Sequence, residues 1–458
     1  MKLLKSTVIS LVTITLFACA SNPAGDSDKA ITEAVEAPDA WVAAAESVGS
    51  VTIEWFDEFQ DPLLLKLIEE GKSNNLDLKT AAGNVELAWV LANQAGASLQ
   101  PVASISLGET GSSTATGDTP SSRQTNLTGQ VSWELDIWGR IRAGSRAAVD
   151  SARSAEADYR FALHSLGASI AKAYFIVIEA KMQAEVTRKN LNILTDTMRI
   201  VKVKFENGLA SSQDVSLARA QLASAEENLL KVESSKREAI RALELLLGRY
   251  PNAELELPDS LPVLPPSPPA GLPSTILERR PDIIAAERTI AAAFNSTEAA
   301  KAAALPSFSL TSTIGGASGG LSDVLNAGNV IWQLAANLMV PIFDQGSIAA
   351  QIEVANIEQK QAISSYVKAA LNAFSDVETN LDLGQVLVKR ERHLITAQKE
   401  INNAYRLANL LYQEGESELL DVLTIQQNAI AADSNSVAIR RLLLEQRINL
   451  YLALGGEW

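Results

Sequence analysis

Cysteine and histidine are nearly absent: the 458 residues include one Cys, Cys19, and two His, His164 and His393. A disulfide framework is excluded, and so is a zinc site built from Cys and His. Aromatics make up 5% of a chain that is 47% hydrophobic, so its apolar surface is mostly aliphatic. Basic residues are also short, 39 Lys and Arg against 54 Asp and Glu, for a net charge of −15. No basic stripe is offered to phosphates, which argues against a nucleic-acid partner. There is no Walker A, G-x-S-x-G or H-E-x-x-H spacing, so nothing suggests an enzyme, a bound metal or a cofactor. Residues 139–205 lack proline altogether and contain only three glycines, Gly139, Gly144 and Gly167. Little in that stretch stops a helix.

What it does contain is a heptad seam. Steps of seven from Val149 meet Glu156, Leu163, Ile170, Val177, Ala184, Leu191, Met198 and Phe205. A second row, three residues on, reads Ala152, Tyr159, Leu166, Ala173, Ala180, Thr187, Leu194 and Val201. Only Glu156 and Thr187 break the two rows. A strict 3.5-residue repeat imposes a left-handed supercoil on the partners of such a helix. At 1.5 Å per residue the helix would be on the order of 100 Å long, far more than a globular core can use. It must be a strut, a coiled coil or the wall of a tube.

The chain starts with Lys2 and Lys5, an apolar run over residues 8–17, and then Leu16-Phe17-Ala18-Cys19. Residues 1–18 read as a secretory signal, too short to span a membrane as a helix. The four residues ending at Cys19 resemble a bacterial lipobox, which implies cleavage before Cys19 and lipid attachment to it. Residues 19–54, small and polar, read as a lipidated tether. Asp61 followed by Pro62 is an N-cap and first helical residue.

At Pro101 the period changes to two. Ala103, Ile105 and Leu107 alternate with serine and glycine, and after a turn-rich stretch Leu127, Gly129, Val131, Trp133, Leu135 and Ile137 alternate with polar neighbours. This hairpin, over about residues 101–138, is long enough to cross a membrane. A long helical hairpin follows over about 139–247, turning at Gly208, with Ala218, Ala225, Val232, Ala239 and Leu246 spaced in sevens on its return.

The whole unit, residues 55–256, then recurs over 274–458. Pro101 pairs with Pro306 at an offset of 205, and Ile137-Trp138 with Ile342-Phe343. Asp344-Gln345 adds two residues, after which Gly139 pairs with Gly346, Gly208 with Gly415, and Leu247-Gly248 with Leu454-Gly455. The second strand pair falls over about 306–343, with Trp332, Leu334, Ala336, Leu338, Val340 and Ile342 alternating. The second helical hairpin spans about 346–454, its seam (Tyr366, Ala373, Asn380, Leu387, Leu394, Ile401, Ala408) less clean. Seven prolines in 257–273 make an extended linker between the copies.

Four amphipathic strands cannot close a barrel, and open sheet edges are not tolerated in lipid. The chain is therefore expected to be an obligate homo-oligomer, with a β-barrel at one end and a helical tube in the periplasm of a Gram-negative cell.

Several motifs now carry a family resemblance: Trp55-Phe56 with Asp61-Pro62, Asp136-Ile137-Trp138-Gly139-Arg140, Arg279-Arg280-Pro281-Asp282-Ile283, Leu305-Pro306-Ser307, Pro341-Ile342-Phe343-Asp344-Gln345-Gly346, and the closing Leu454-Gly455-Gly456-Glu457-Trp458. Over nearly all of its mature length the chain resembles the TolC-like outer-membrane efflux family, in its lipoprotein branch serving RND-type multidrug pumps. The resemblance implies a mixed α and β membrane protein. It would be a homotrimer with a 12-stranded outer-membrane barrel, four strands per chain, continued by a long periplasmic coiled-coil tube. It implies a periplasmic adaptor and an inner-membrane RND-type transporter as partners, outer-membrane lipid around the strands, and no catalysis by the duct. A TolC-like duct for type I protein secretion is the alternative. A non-conducting periplasmic coiled-coil adaptor is disfavoured, because it has no use for two membrane-length hairpins.

The turns Gly208-Leu209-Ala210-Ser211 and Gly415-Glu416-Ser417 are expected at the far tip of the tube. Each glycine permits a positive φ. Ser211 and Asp214 form a capping-box variant, so helix capping alone could explain them; the resemblance implies that both turns also contact the adaptor. It further implies that Leu420 and Asp421 line the periplasmic aperture. Thr424 stands where many relatives have Asp, which weakens an inner acidic ring. Asp421 could instead be a first-turn carboxylate complementing its helix dipole. Arg279-Arg280-Pro281-Asp282 reads as a helix start with structural ion pairs rather than an anion site. Trp133, Trp138, Trp332 and Phe343 are expected at the membrane interface or facing lipid.

Overall fold

The computed structural model describes residues 23–43, 55–112, 122–324 and 326–456. Cys19, the signal segment 1–18 and Glu457-Trp458 lie outside them. Ten helices and four strands are described: α1 (Pro23–Ala34), α2 (Pro62–Asn74), α3 (Leu76–Ala97), β1 (Val102–Ser112), β2 (Ser122–Leu135), α4 (Arg140–Glu206), α5 (Ser212–Leu246), α6 (Pro273–Arg279), α7 (Pro281–Ala302), β3 (Ser307–Ser318), α8 (Leu321–Val324), β4 (Val330–Met339), α9 (Ser347–Glu414) and α10 (Leu419–Ala453). The helices α4 and α9 have 67 and 68 residues, and α5 and α10 have 35 each.

The chain divides into two compact units. The first, Met1–Glu36, Asn84–Glu156 and Ala285–Ala369, holds the sheet. Its strands run in the order β1-β2-β3-β4, all antiparallel, leaving β1 and β4 as free edges. Register decides the chemistry of the two faces. Ile105, Gly129, Ile314 and Trp332 stand in one row, and Ala103, Val131, Ser312 and Leu334 in the next. Leu135, Phe308 and Leu338 form another on the same face. The alternate rows bring together Ser104, Gln130, Thr313 and Gln333, and Glu134, Ser309 and Asn337. Because the side-chain period is two, one face is apolar and the other polar. The apolar face is bare: Ile105 is 82% exposed and Trp332 75%.

Both strand pairs end sooner than the alternation predicts. β2 stops at Leu135, so Ile137 lies beyond it, and β4 stops at Met339, before Val340 and Ile342. Pro341 has no N–H to continue a ladder. After β2 the carboxylate of Asp136 accepts the N–H groups of Ile141 and Arg142, which start α4. Asp344 does the same for α9, accepting from Gly346 and Ile348. The two residues by which the copies differ thus supply the second cap. The connection between β3 and β4, read as a Gly/Ser turn, contains α8 and a short 3-10 turn, Ala327–Asn329.

The second unit, Ala37–Gly83, Ala157–Ile284 and Ala370–Trp458, holds the main core. Trp55 stacks on Tyr451 at 4.7 Å between centroids and lies against Phe56 and Phe59. Asp61 caps α2 by accepting from the N–H groups of Leu63 and Leu64, and its other oxygen accepts the Tyr174 hydroxyl at 2.6 Å. Burial and the Asp61 carboxylate push the Tyr174 hydroxyl pKa well up, so this bond is uncharged on the tyrosine side at every physiological pH. The seam of α4 is largely buried, with Ile170, Val177, Ala184, Leu194 and Val201 inside, while Phe205 at its end is exposed. Its two polar exceptions are satisfied: Glu156 accepts from the Trp89 indole in the first unit, and Thr187 bonds back to the Gln183 carbonyl.

One expectation needs correction. The tether 19–54 is not structureless: residues 23–34 are helical, and Trp41 is buried with its indole N–H shared between the carbonyls of Ala270 and Gly271. The proline-rich linker 257–273 has no helix or strand before Pro273, and it packs on the core. Leu257 and Leu261 enter the core, the Pro265 carbonyl accepts from Arg447, and α6 already begins at Pro273. Leucines beside the prolines anchor a backbone that cannot be regular.

Four long helices end alike, at Gly208, Gly248, Gly415 and Gly455, all with positive φ. Gly208 and Gly248 separate strain from space. Their φ values are +73° and +72°, but a Cβ on Gly208 would meet nothing within 4 Å, while one on Gly248 would lie 2.8 Å from the Asn74 carbonyl oxygen. Gly208→Ala should cost about 1 kcal/mol from the left-handed backbone alone. Gly248→Ala should cost about 2 kcal/mol or more, because the backbone of Asn74 must also move. Thermal unfolding of the two variants checks this, and equal losses would contradict it.

Candidate functional site at the helix–helix turns

Each turn is built by hydrogen bonds that follow from its glycine. Gly208 N–H donates to the Phe205 carbonyl and Leu209 N–H to Lys204, the two bonds of a Schellman cap. Gly415 and Glu416 repeat this with Tyr412 and Leu411. A chain ending α4 or α9 in this way is turned at once towards the next helix.

The restarts differ. Ser211 caps α5 through a complete capping box: its hydroxyl accepts the Asp214 N–H, and the Asp214 carboxylate accepts the Ser211 N–H at 2.8 Å and its hydroxyl at 2.8 Å. Asp214 thus serves local structure through its Oδ2. Glu418 stands at the N-cap of α10 and makes no side-chain cap. The start of α10 is held instead by packing, with Leu419, Val422 and Leu423 buried beside Leu194, Val201, Ala408 and Tyr412. Leu420 points away from that cluster and is 58% exposed. Asp421 is exposed and makes no hydrogen bond or ion pair with a described residue. Thr424 bonds its hydroxyl to the Leu420 carbonyl, so it is not a free donor at that surface. Leu209 is 75% exposed, Glu416 is exposed, and Ala210 and Ser417 are half-buried.

One contact here is not legible in the sequence. The Lys204 ammonium donates to the Tyr412 carbonyl and sits 4.2 Å from the centre of the Tyr412 ring. It thereby places a cation at the C-terminus of α9, where the helix dipole and open carbonyls favour one. Burial, and after it the charge of Asp214, raises the Tyr412 pKa. Residues 204, 214 and 412 thus meet across two turns that are 207 positions apart. Of the three, only Asp214 carried a signal in the sequence, as part of the capping box.

The other named residues are structural. Arg280 is buried; it grips Asp282 with two nitrogens, at 3.1 and 2.8 Å, and reaches Asp376 and the Ala453 carbonyl. Its donors are taken, which suits a helix start with ion pairs and leaves little for a bound anion. Trp133 and Trp138 each give the indole N–H to a carbonyl, of Leu99 and Pro306, beside the strand ends. Trp332 and Phe343 are largely exposed. Among the described residues no three His, Cys, Asp or Glu are grouped to hold a metal ion.

The family model described as outer membrane efflux protein matches the chain twice, over residues 67–249 and 272–456. The pyoverdine export outer membrane protein OpmQ of Pseudomonas aeruginosa is 31% identical, over 98% of this chain and 97% of its own. The cation efflux system protein CusC of Escherichia coli is 31% identical over 88% of both chains. A solved CusC structure superposes with a TM-score of 0.82 at 28% identity, covering 92% of this chain and 99% of that one. The probable outer membrane lipoprotein SilC of Salmonella typhimurium is 30% identical over 88% of both. The fold, the bare apolar sheet face and these likenesses agree: the chain belongs to the outer membrane efflux protein family, whose members are channels rather than enzymes.

Proposed function

We propose that three copies of the chain form a passive exit duct of a tripartite efflux system, with a periplasmic adaptor and an inner-membrane RND-type transporter as partners. Twelve strands would close one barrel, and the paired long helices would form the periplasmic tube. The observation that carries this reading is the sheet, with one apolar face, one polar face and two unpaired edges. In lipid each unpaired backbone group costs several kcal/mol, so β1 and β4 must meet strands of other copies. The twofold match of the family model supports reading the chain as two repeats, 55–256 and 274–458, after a signal (1–18) and a lipidated segment. Small molecules are the proposed cargo. The relatives named above are called pyoverdine export and cation efflux proteins, which fixes no single substrate. Cross-linking in native membranes should stop at three subunits; a stable monomer with intact strands would refute the assembly.

The aperture is assigned to Leu420, Asp421 and Thr424, and adaptor contact to Gly208, Leu209, Ala210, Ser211, Gly415, Glu416 and Ser417. Support comes from the contrast at the turns: Asp214 is consumed by capping, while Leu420 and Asp421 are left exposed by a well-packed helix start. Three symmetry-related Asp421 carboxylates would repel, so the closed tip needs opposing contacts, and Lys204 with Tyr412 supplies one within each chain. Leu420→Ala with Asp421→Ala should raise single-channel conductance in planar bilayers and vancomycin sensitivity in cells at unchanged trimer yield. Lys204→Met should do so more weakly, and should speed amide exchange around residues 405–418. If Asp214→Ala opens the channel and the double variant does not, the gate belongs to the first turn.

Cys19 is the proposed lipid attachment site, which the likeness to a probable outer membrane lipoprotein supports. Cys19→Ser should abolish incorporation of a fatty-acid analogue while strand insertion persists. Labelling that survives the change would remove the lipoprotein reading.

A further inference from the structure

Within the second unit, α9, α10 and the proline-rich segment enclose a cavity of about 520 Å³. Three cationic side chains line it, Lys389 and Arg392 from α9 and Arg447 from α10, and none of the described lining residues is acidic. This is unusual in a chain of net charge −15. None of the three forms an ion pair with a described residue. Arg447 is 6% exposed; one Nη donates to the Pro265 carbonyl, and its Nε has no partner. The charge of Glu58 reaches Arg447, but the Glu58 carboxylate accepts the Tyr451 hydroxyl. Gln446, 3% exposed, also lines the cavity with an unpartnered Oε1. It packs against Gly384, where a Cβ would come within 2.9 Å of its amide nitrogen. The rest of the wall is apolar, including Leu381, Val388 and Leu450.

A buried guanidinium with an unpartnered Nε is costly unless an acceptor completes it. A cavity this size holds a small molecule, and its apolar wall favours one with a hydrophobic body. We propose that this cavity binds a small amphipathic anion, its carboxylate, phosphate or sulfonate held by Lys389, Arg392 and Arg447 and its apolar body lying on Leu381, Val388 and Leu450. The two exposed cations on α9 attract and orient the head group, and the buried arginine fixes it with a charge-assisted hydrogen bond. The site stands independently of the duct reading, because every wall residue belongs to one unit of one chain.

The test is calorimetric titration of the full chain in phosphatidylcholine nanodiscs with naphthalene-2-sulfonate. One probe per chain is expected to bind. Lys389→Ala with Arg392→Ala should weaken it roughly tenfold or more, while Arg390→Ala, on the same helix but outside the cavity, should leave it unchanged. Naphthalene-2-methanol, without the charge, and inorganic phosphate, without the apolar body, should each bind at least roughly tenfold more weakly. No binding overturns the proposal. So does an equally tight neutral probe, phosphate binding in place of the sulfonate, equal loss in Arg390→Ala, or a double variant that binds like the parent.

Discussion

The backbone of the sheet sets the first constraint. Its register collects Ile105, Ile314 and Trp332 on one face and Ser104, Gln130, Thr313 and Gln333 on the other. Such a sheet in water would need a cover over its apolar face, and none of the described residues provides one. In lipid that face needs no cover, but the edges then become the problem, because no water is present to satisfy β1 and β4. A single chain therefore solves half of each requirement. The number of strands, their length of 10 to 14 residues and the bare face fit one environment, a membrane, in which both free edges call for further strands.

Helix length is the second constraint, and it is met by punctuation. A 67-residue helix accumulates no tertiary signal to stop it, so its end must be written locally. The chain writes it with a left-handed glycine and two back-turned N–H bonds at the ends of α4, α5, α9 and α10. Where the next segment only turns, as at Gly208, the glycine answers to backbone conformation. Where it also packs, as at Gly248 against Asn74, it answers to space as well. The helix starts use whatever oxygen is at hand. Asp136 lies before its Ile-Trp pair and Asp344 after its Ile-Phe pair, yet each receives two N–H groups. In Asp136 burial opposes ionisation, but those N–H groups and the Arg142 guanidinium outweigh it and lower the pKa.

Much of this was legible because it is periodic or local. The heptad rows, the alternation of the strands, Asp61 before Pro62 and the Ser211–Asp214 box all depend on residues within a few positions of each other. What escaped depends on distance or on irregular backbone. Glu156 looked like a fault in the seam until Trp89, 67 residues earlier, supplied its partner. Trp41 gave no pattern, because its partners are two carbonyls about 230 positions away. The ends of β2 and β4 were overrun because alternation continues past the last ladder bond, and only hydrogen bonding decides where a strand stops. The cationic cavity was invisible for a similar reason: Lys389 and Arg392 are an ordinary helical charge run until Arg447 and Pro268 are brought beside them.

The two turns show how one glycine cap can precede two differently built helix starts of the same length. Both have the same glycine, the same pair of capping bonds and a 35-residue helix after them. In the first, the polar atoms of Ser211 and Asp214 close on each other, and such a cap contributes about 1 kcal/mol. In the second, no side chain caps the helix, and burial of Leu419, Val422 and Leu423 replaces that contribution at about 1.5–3 kcal/mol for each fully buried side chain. The exchange more than compensates the helix, and it frees the residues between the buried ones. Leu420 and Asp421 stand in the gaps of that packing pattern, one apolar and exposed, the other charged and unpaired. A leucine left in solvent beside an unpaired carboxylate, where the first turn caps its helix with a carboxylate, is the contrast on which the proposed aperture rests.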